Sequence, residues 1–186
     1  MNVLPLKIPG ALELRPALHT DCRGRFVKTF HIDEYRRHGL ACEYQEEYFS
    51  ESVRGVVRGL HFQVPPMDHE KLVYCVSGDV VDVILDIRRG SPTYGQYELV
   101  RLSAEQGNMV YLARGLAHGF GVMSSLAVMV YKVTSVYSPL HDRGVLWNSA
   151  GIPWPLARPI VSPRDQGFPP LAELDSPFHW CGAQSA

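Results

Sequence analysis

Short apolar runs closed by turn signals recur between residues 72 and 133, and they restrict the fold more than any other feature of the chain. From Val81 to Ile87, aliphatic residues at every second position alternate with Asp82, Ile84 and Asp86, which is the period of a β-strand. Further runs rich in Val, Leu and Tyr span residues 72–76, 97–102, 109–112 and 126–133. Many short strands separated by glycine and proline turns are typical of a sandwich, barrel or jelly roll.

The rest of the chain predicts little regular structure. A short helix is expected from Asp33 to His38, with Asp33 as its N-cap and Gly39 just past its end. From Ile152 onward the chain contains seven prolines, which exclude regular central strands, so we expect this tail to wrap over the core as irregular chain. A length of 186 residues suits one domain. The prediction is therefore a single all-β domain over residues 1–186.

Charge and cysteine content bear on the partners and the location to expect. The 18 basic and 19 acidic side chains nearly balance, so bulk charge gives no reason to expect nucleic acid or an anionic membrane as a partner. No apolar stretch is long enough to span a bilayer, and no secretory leader is visible. Four scattered cysteines without a CxxC pair indicate reduced thiols. We expect a cytoplasmic protein.

The segment Arg58–Gln63 is the first candidate for chemistry, together with Lys71 and Tyr131. His61 supplies a possible base, Lys71 a cation and Tyr131 a possible acid. These are the groups needed to move a proton at a carbon next to a ketone, since a base removes the proton, a cation stabilises the enolate and an acid returns the proton.

The spacing of glycine and histidine resembles the cupin superfamily of small jelly rolls. Gly107, Gly115 and His118 follow the second cupin motif. A metal-binding cupin usually has a second histidine where this chain has Gln63. A divalent metal could still be held by imidazole and carboxylate ligands, so a metal-dependent cupin isomerase or oxygenase is an alternative. The candidate ligands are His61, His69, Glu70 and His118.

A closer resemblance covers nearly the whole chain. The segments that carry it, in order, are residues 21–26, 54–63, 71–73, 86–88, 91–95, 115–120, 131–134, 137–139 and 162–165. Each segment alone is unspecific, but their order and separations together are specific. In these segments the chain resembles the dTDP-4-dehydrorhamnose 3,5-epimerase family, whose members are metal-free cupins. The resemblance implies a cupin-type jelly roll that needs no bound metal or other cofactor.

The resemblance also implies catalytic roles. His61 is similar to the family's base, and Asp165 to the carboxylate that orients it. Such a carboxylate fixes the imidazole tautomer and raises its basicity. Lys71 is similar to the cation beside the 4-keto oxygen, and Tyr131 to the acid on the opposite face of the sugar ring.

The resemblance also implies a second group of residues, which bind the substrate. Arg23 and Arg58 resemble ligands of the diphosphate or the sugar, because a planar guanidinium donates two bonds to a phosphate. His118 resembles a residue lining the pocket, and Phe26 resembles part of the nucleotide site. The resemblance further implies a homodimer, in which the segment from Met1 to Ile8 could serve as an exchanged edge strand.

The departures from the family pattern concentrate on the expected nucleotide pocket. Lys28 replaces a usual Glu, Glu46 a usual Gln, Tyr48 a usual Asn, and Val136 a usual Tyr. Lysine only donates hydrogen bonds and a carboxylate only accepts them, so Lys28 and Glu46 could alter how the base is recognised. We expect a dTDP-linked substrate, with a CDP-linked sugar as the alternative.

The predicted function is therefore an epimerase that inverts C3, C5 or both in a nucleotide-linked 4-keto-6-deoxyhexose. Both carbons flank the ketone, so the catalytic residues alone do not decide between them. A catalytically silent sugar-nucleotide binding module is a further alternative. The set of His61, Lys71 and Tyr131 argues against it, because binding alone needs no acid–base pair.

Overall fold

Two antiparallel sheets pack face to face in the computed structural model, which describes residues 1–182. The strands are β1 (Asn2–Pro5), β2 (Ala11–Arg15), β3 (Leu18–Asp21), β4 (Gly24–Val27), β5 (Glu46–Val53), β6 (Val56–Gln63), β7 (Lys71–Ser77), β8 (Asp79–Asp86), β9 (Tyr97–Ser103), β10 (Met109–Leu112), β11 (Leu116–Val122), β12 (Leu126–Val133), β13 (Asp142–Gly144) and β14 (Ile160–Val161). The helices are α1 (Ile32–Arg37) and α2 (Pro163–Gln166), with a 3₁₀ turn at Leu171–Glu173.

The strand order is that of a jelly roll. The first sheet has the order β1-β2-β10-β7-β12-β5, and the second has the order β13-β6-β11-β8-β9, with β14 parallel to β6. Strands β3 and β4 form a separate hairpin. The predicted all-β jelly roll is confirmed. None of the helices among residues 1–182 combines the length and apolar character that a bilayer crossing requires.

Apolar side chains form three layers rather than one core. The central layer lies between the sheets and includes Ile84 of β8. A second layer lies on the outer face of the second sheet, where Val83 and Leu85 of β8 pack with Ile152 and Phe178 of the tail. A third layer on the first sheet is covered by Tyr35 of α1 and its neighbours. Strand β8 is therefore buried on both faces, and the irregular tail wraps over the barrel as the sequence predicts.

Some boundaries of strands and helices were predicted correctly from the sequence, and others were not. Strands β10 and β12 coincide with the predicted runs 109–112 and 126–133. The predicted N-cap at Asp33 is wrong, because His31 occupies that position with an extended backbone. Asp33 lies in the first turn, where a carboxylate complements the helix dipole. Gly39 follows the helix with a positive φ of 65°, as expected.

A buried carboxylate organises the loop after β8. Asp86 is fully buried and accepts hydrogen bonds from the backbone and guanidinium of Arg88, and from the hydroxyls of Ser91 and Thr93, at 2.6–3.0 Å. Burial raises the pKa of Asp86, but these donors outweigh burial and hold the pKa below its ordinary value. The loop between β8 and β9 is therefore fixed by an ionised side chain.

We predict that Asp86→Asn destabilises the fold by about 3–5 kcal/mol at neutral pH, because it leaves the buried Arg88 guanidinium without its counter-ion. The low pKa of Asp86 means that its contribution is complete above the unfolded-state pKa and is lost as pH falls through the folded-state pKa. Urea unfolding of wild type and variant measures the difference. Asp79→Asn is the matched control, since its partner Arg101 is exposed to solvent and is not left buried without a counter-ion. Equal losses in the two variants would contradict the prediction.

Candidate active site

A cavity of about 300 Å³ opens between the two sheets. Each sheet contributes side chains that the sequence predicted for the site. The first sheet supplies Glu46, Lys71 and Tyr131, and the second supplies Arg58, His61 and His118. The structure thus brings six of the ten predicted residues around one cavity, and a seventh, Asp165, lies behind His61.

The pair His61–Asp165 joins strand β6 to the tail. His61 Nε2 lies 2.9 Å from Asp165 Oδ1, and Asp165 Oδ2 accepts the backbone N–H of Gly59 at 3.0 Å. The hydroxyl of Ser162 caps α2 by accepting the N–H of Asp165 at 3.1 Å. Since the carboxylate accepts, Nε2 carries the imidazole proton and Nδ1 is the nitrogen that can receive one.

The electrostatics of His61 suit a general base. Burial lowers its pKa, Asp165 opposes this, and Lys71 and Arg164 lower it further, so the net pKa lies below the ordinary 6.5. The imidazole is therefore neutral at pH 7. The backbone that carries His61 packs tightly against the neighbouring strand. Gly59 has a φ of 131°, and a Cβ there would lie 2.6 Å from Gly119 Cα on β11. Only glycine permits this close approach of β6 and β11.

Lys71 supplies a buried ammonium at the start of β7. The residue is only 6% exposed, and its Nζ donates to the backbone carbonyl of His61 at 3.2 Å. Burial lowers the pKa of Lys71 to about 8, while Asp142 and Asp82 act in the opposite direction. The ammonium is thus charged at neutral pH and poorly hydrated, which strengthens its interaction with a nearby developing anion.

Tyr131 lies on the opposite wall of the cavity from His61, since β12 belongs to the first sheet and β6 to the second. Its hydroxyl is 3.1 Å from Ser50 Oγ, and its ring stacks on Tyr48 with centroids 4.8 Å apart. Burial raises the pKa of Tyr131, so the phenol keeps its proton. A neutral base and a protonated acid therefore face each other across the cavity.

His118 is anchored by a second buried carboxylate. Its Nε2 lies 2.8 Å from Asp82 Oδ2, and both side chains are almost fully buried. The rings of His118 and Tyr131 are T-shaped, with centroids 6.2 Å apart and an interplanar angle of 75°. Asp82 lies on the inner face of β8, which explains why a carboxylate alternates with apolar residues in a strand that is buried on both sides.

The candidate metal ligands do not converge. Gln63 instead binds two loops, donating to the Met67 carbonyl at 2.9 Å and accepting the Ser138 N–H at 2.6 Å. Glu70 bonds to Tyr111, away from the cavity. Within residues 1–182, no three His, Cys, Asp or Glu side chains come together as a possible metal site. The ligand set for the metal-dependent alternative is therefore not assembled.

Three predicted substrate-binding residues lie elsewhere. Arg23, Phe26 and Lys28 are exposed on or beside the β3–β4 hairpin, and Arg23 pairs with Asp21 at 2.5 Å. The hairpin follows β2, which β10, β7 and β12 separate from β5 at the cavity. One chain alone does not bring these residues to its own site.

The structure also adds lining residues that the sequence analysis missed. Ser50 lies on the inner face of β5, and Asp142 of β13 pairs with Arg164 of the tail at the cavity wall. The two-residue period from Glu46 through Tyr48 was a signal for Ser50, because alternate residues of a strand share a face. Arg164 is directly before Asp165 in the sequence, and this adjacency could have predicted that Arg164 lies at the cavity.

Comparison with known proteins identifies the family. A family model described as dTDP-4-dehydrorhamnose 3,5-epimerase matches residues 5–173. The chain belongs to this family. The protein is thus an epimerase, which is a class of isomerase.

Its relatives include two kinds of epimerase. The chain is 41% identical to the dTDP-4-dehydrorhamnose 3,5-epimerase of Shigella flexneri, over 89% of this chain and 93% of that one. It is also 41% identical to the dTDP-4-dehydrorhamnose 3-epimerase of Streptomyces niveus, over 93% and 85%. Among solved structures, the dTDP-6-deoxy-D-glucose-3,5-epimerase of Legionella pneumophila in complex with dTDP-4-keto-L-rhamnose superposes with a TM-score of 0.89, at 35% identity over 94% of both chains.

The epimerase is predicted to show a bell-shaped dependence of kcat/KM on pH. Activity rises as His61 loses its proton, below pH 6.5, and falls as Lys71 loses its charge near pH 8. In Lys71→Arg the cation stays charged, so the alkaline limb moves to higher pH even though kcat falls. Lys132→Arg, on the same sheet but paired with Glu47 at 2.9 Å, is the control and should keep the wild-type profile. An unmoved alkaline limb in Lys71→Arg would assign that limb to another group.

Proposed function

We propose that the protein inverts C3, C5 or both in a dTDP-linked 4-keto-6-deoxyhexose, with His61 as base and Tyr131 as acid. The observation that carries the proposal is their placement on opposite walls of one cavity, with the buried ammonium of Lys71 beside the base. A ring bound between the walls has one face toward each group. The relatives named above act on dTDP-linked sugars, which supports this nucleotide for the substrate.

The proposed reaction needs no group beyond these side chains. His61 Nδ1 takes the proton from the carbon next to the ketone, and the electron pair of the broken C–H bond moves into the carbonyl to form an enolate. The Lys71 ammonium stabilises the negative oxygen. The Tyr131 O–H bond then breaks and its proton joins the carbon from the other face, which restores the ketone. The phenolate regains a proton from solvent, and the imidazolium returns its proton to solvent.

We also propose that the β3–β4 hairpin completes the site of a second copy in a homodimer. The hairpin presents Phe26 with 60% of its surface exposed, and β5, which lines the cavity, is an edge strand with one unpaired side. An unpaired edge is a ready partner for another strand. This arrangement would give Arg23 and Lys28 a role that they lack within their own chain. The terminal segment from Met1 to Ile8 remains a predicted exchange element.

The cytoplasmic location is a proposal as well. Cys22, Cys42, Cys75 and Cys181 are all free, and Cys22 and Cys181 are exposed. Free exposed thiols persist in a reducing compartment.

Proton exchange in deuterated water tests the proposed chemistry. We predict that His61→Asn lowers deuterium entry from solvent by ~10²–10⁴-fold, the usual contribution of a general base. Tyr131→Phe should still incorporate deuterium, because His61 remains, but should invert the carbon far more slowly. NMR of dTDP-4-keto-6-deoxyglucose follows both events at C3 and C5, and the CDP-linked sugar is the parallel substrate. Inversion by Tyr131→Phe at the wild-type rate would remove Tyr131 from the mechanism.

Mixed dimers test the role of the hairpin. We predict that Arg23→Ala lowers kcat/KM by roughly 10-fold or more, since hydrogen bonds to a charged group are worth about 1.5–3 kcal/mol. A dimer of one Arg23→Ala chain and one His61→Asn chain has one site with an intact base and an intact incoming hairpin. That dimer should be more active than either parent homodimer. If mixing raises no activity, the hairpin does not complete the site of a second copy.

A further inference from the structure

Tyr48 forms the outer side of the pocket that holds the Tyr131 ring. Residues 48 and 131 are direct partners across the antiparallel pair β5–β12, and their rings stack at 4.8 Å with an interplanar angle of 17°. Strand β5 is the edge of the first sheet. The Tyr48 ring is 42% exposed and lines the cavity, so it covers the face of the Tyr131 ring on the side of the sheet edge.

Three contacts together fix the orientation of Tyr131. Its ring stacks on Tyr48 and is T-shaped to His118, and its hydroxyl hydrogen-bonds to Ser50. The hydrogen bond to Ser50 holds the hydroxyl oxygen but leaves the side-chain torsions of Tyr131 adjustable. The ring contacts with Tyr48 and His118 restrict these torsions. Of these two contacts, the one with Tyr48 can be removed by mutation without leaving a buried cavity, because Tyr48 lies at the edge of the sheet.

The enolate intermediate can be protonated by two different groups. If the His61 imidazolium returns the proton, the carbon keeps its configuration and only isotope exchange is observed. If Tyr131 delivers the proton, the carbon is inverted. The ratio of inversion to exchange thus reports how well the phenol is placed relative to the imidazolium. Displacement of a reacting group by about 1 Å can lower its rate by roughly 10²-fold.

We propose that Tyr48 is a positioning residue that holds the Tyr131 phenol for proton delivery, and so sets the ratio of inversion to exchange. The inference rests on the proposed function. Tyr48 acts through its ring and not through its hydroxyl, because the contact with Tyr131 is a stack. Cross-strand aromatic pairs of this kind contribute stability as well as order. The stack also shields the phenol from water, in agreement with the raised pKa of Tyr131 that burial causes.

The test compares three variants by NMR of dTDP-4-keto-6-deoxyglucose in deuterated water. In Tyr48→Ala, inversion should fall roughly 10- to 100-fold further than deuterium entry, as expected for a misplaced acid. Tyr48→Phe keeps the ring and should keep the wild-type ratio. Tyr94→Ala, which removes a 40% exposed aromatic residue from the loop between β8 and β9, away from the cavity and from β5, is the control and should also behave as wild type.

Each other outcome overturns the inference. An unchanged ratio in Tyr48→Ala shows that the stack does not place the phenol. A parallel loss of exchange and inversion shows that Tyr48 binds substrate instead. A loss in Tyr48→Phe equal to that in Tyr48→Ala assigns the effect to the hydroxyl. Absence of exchange in the wild-type protein, with either nucleotide, is a failure of the proposed function and is recognised before any variant is compared.

Discussion

The hydrogen bond between His61 and Asp165 connects the chemistry of this protein to its fold. It joins residues 104 positions apart, one in a barrel strand and the other in a proline-rich tail. The tail reaches this point because Ile160–Val161 pairs in parallel with β6 and Ser162 caps the short helix that presents the carboxylate. Asp165 also accepts the Gly59 N–H, so one side chain fixes both the imidazole and the backbone before it. Without the tail, β6 would carry an imidazole with no fixed tautomer.

Burial sets the protonation states of the three reacting groups. It lowers the pKa of His61 and of Lys71 and raises that of Tyr131. In each case the ionised form is disfavoured, as expected for a group removed from water. At neutral pH the result is a neutral base, a protonated acid, and a lysine that is still charged although its pKa has fallen to about 8. The barrel interior thus prepares all three groups through one physical effect.

The barrel was predictable from local pattern, whereas the assembly of the site was only partly so. Strands β10 and β12 follow from apolar periodicity and turn residues, because both are local properties of the chain. The pairing of Asp165 with His61 came from resemblance alone, since no local pattern indicates which carboxylate a distant tail delivers. The N-cap of α1 was also predicted wrongly: it is His31, two residues before Asp33, and its side chain makes no capping hydrogen bond, so residue preferences for caps gave no signal for it. Arg23, Phe26 and Lys28 were grouped with the site by resemblance, and a single chain leaves them outside the cavity.

The late position of Asp165 has a consequence for synthesis of the protein. Chains emerge from the ribosome N-terminus first, and all strands of the first sheet precede residue 134. A nascent chain can therefore complete this sheet while its base still lacks the carboxylate that orients it. The proton-transfer site would therefore stay incomplete until Asp165, in the last fifth of the chain, is released from the ribosome.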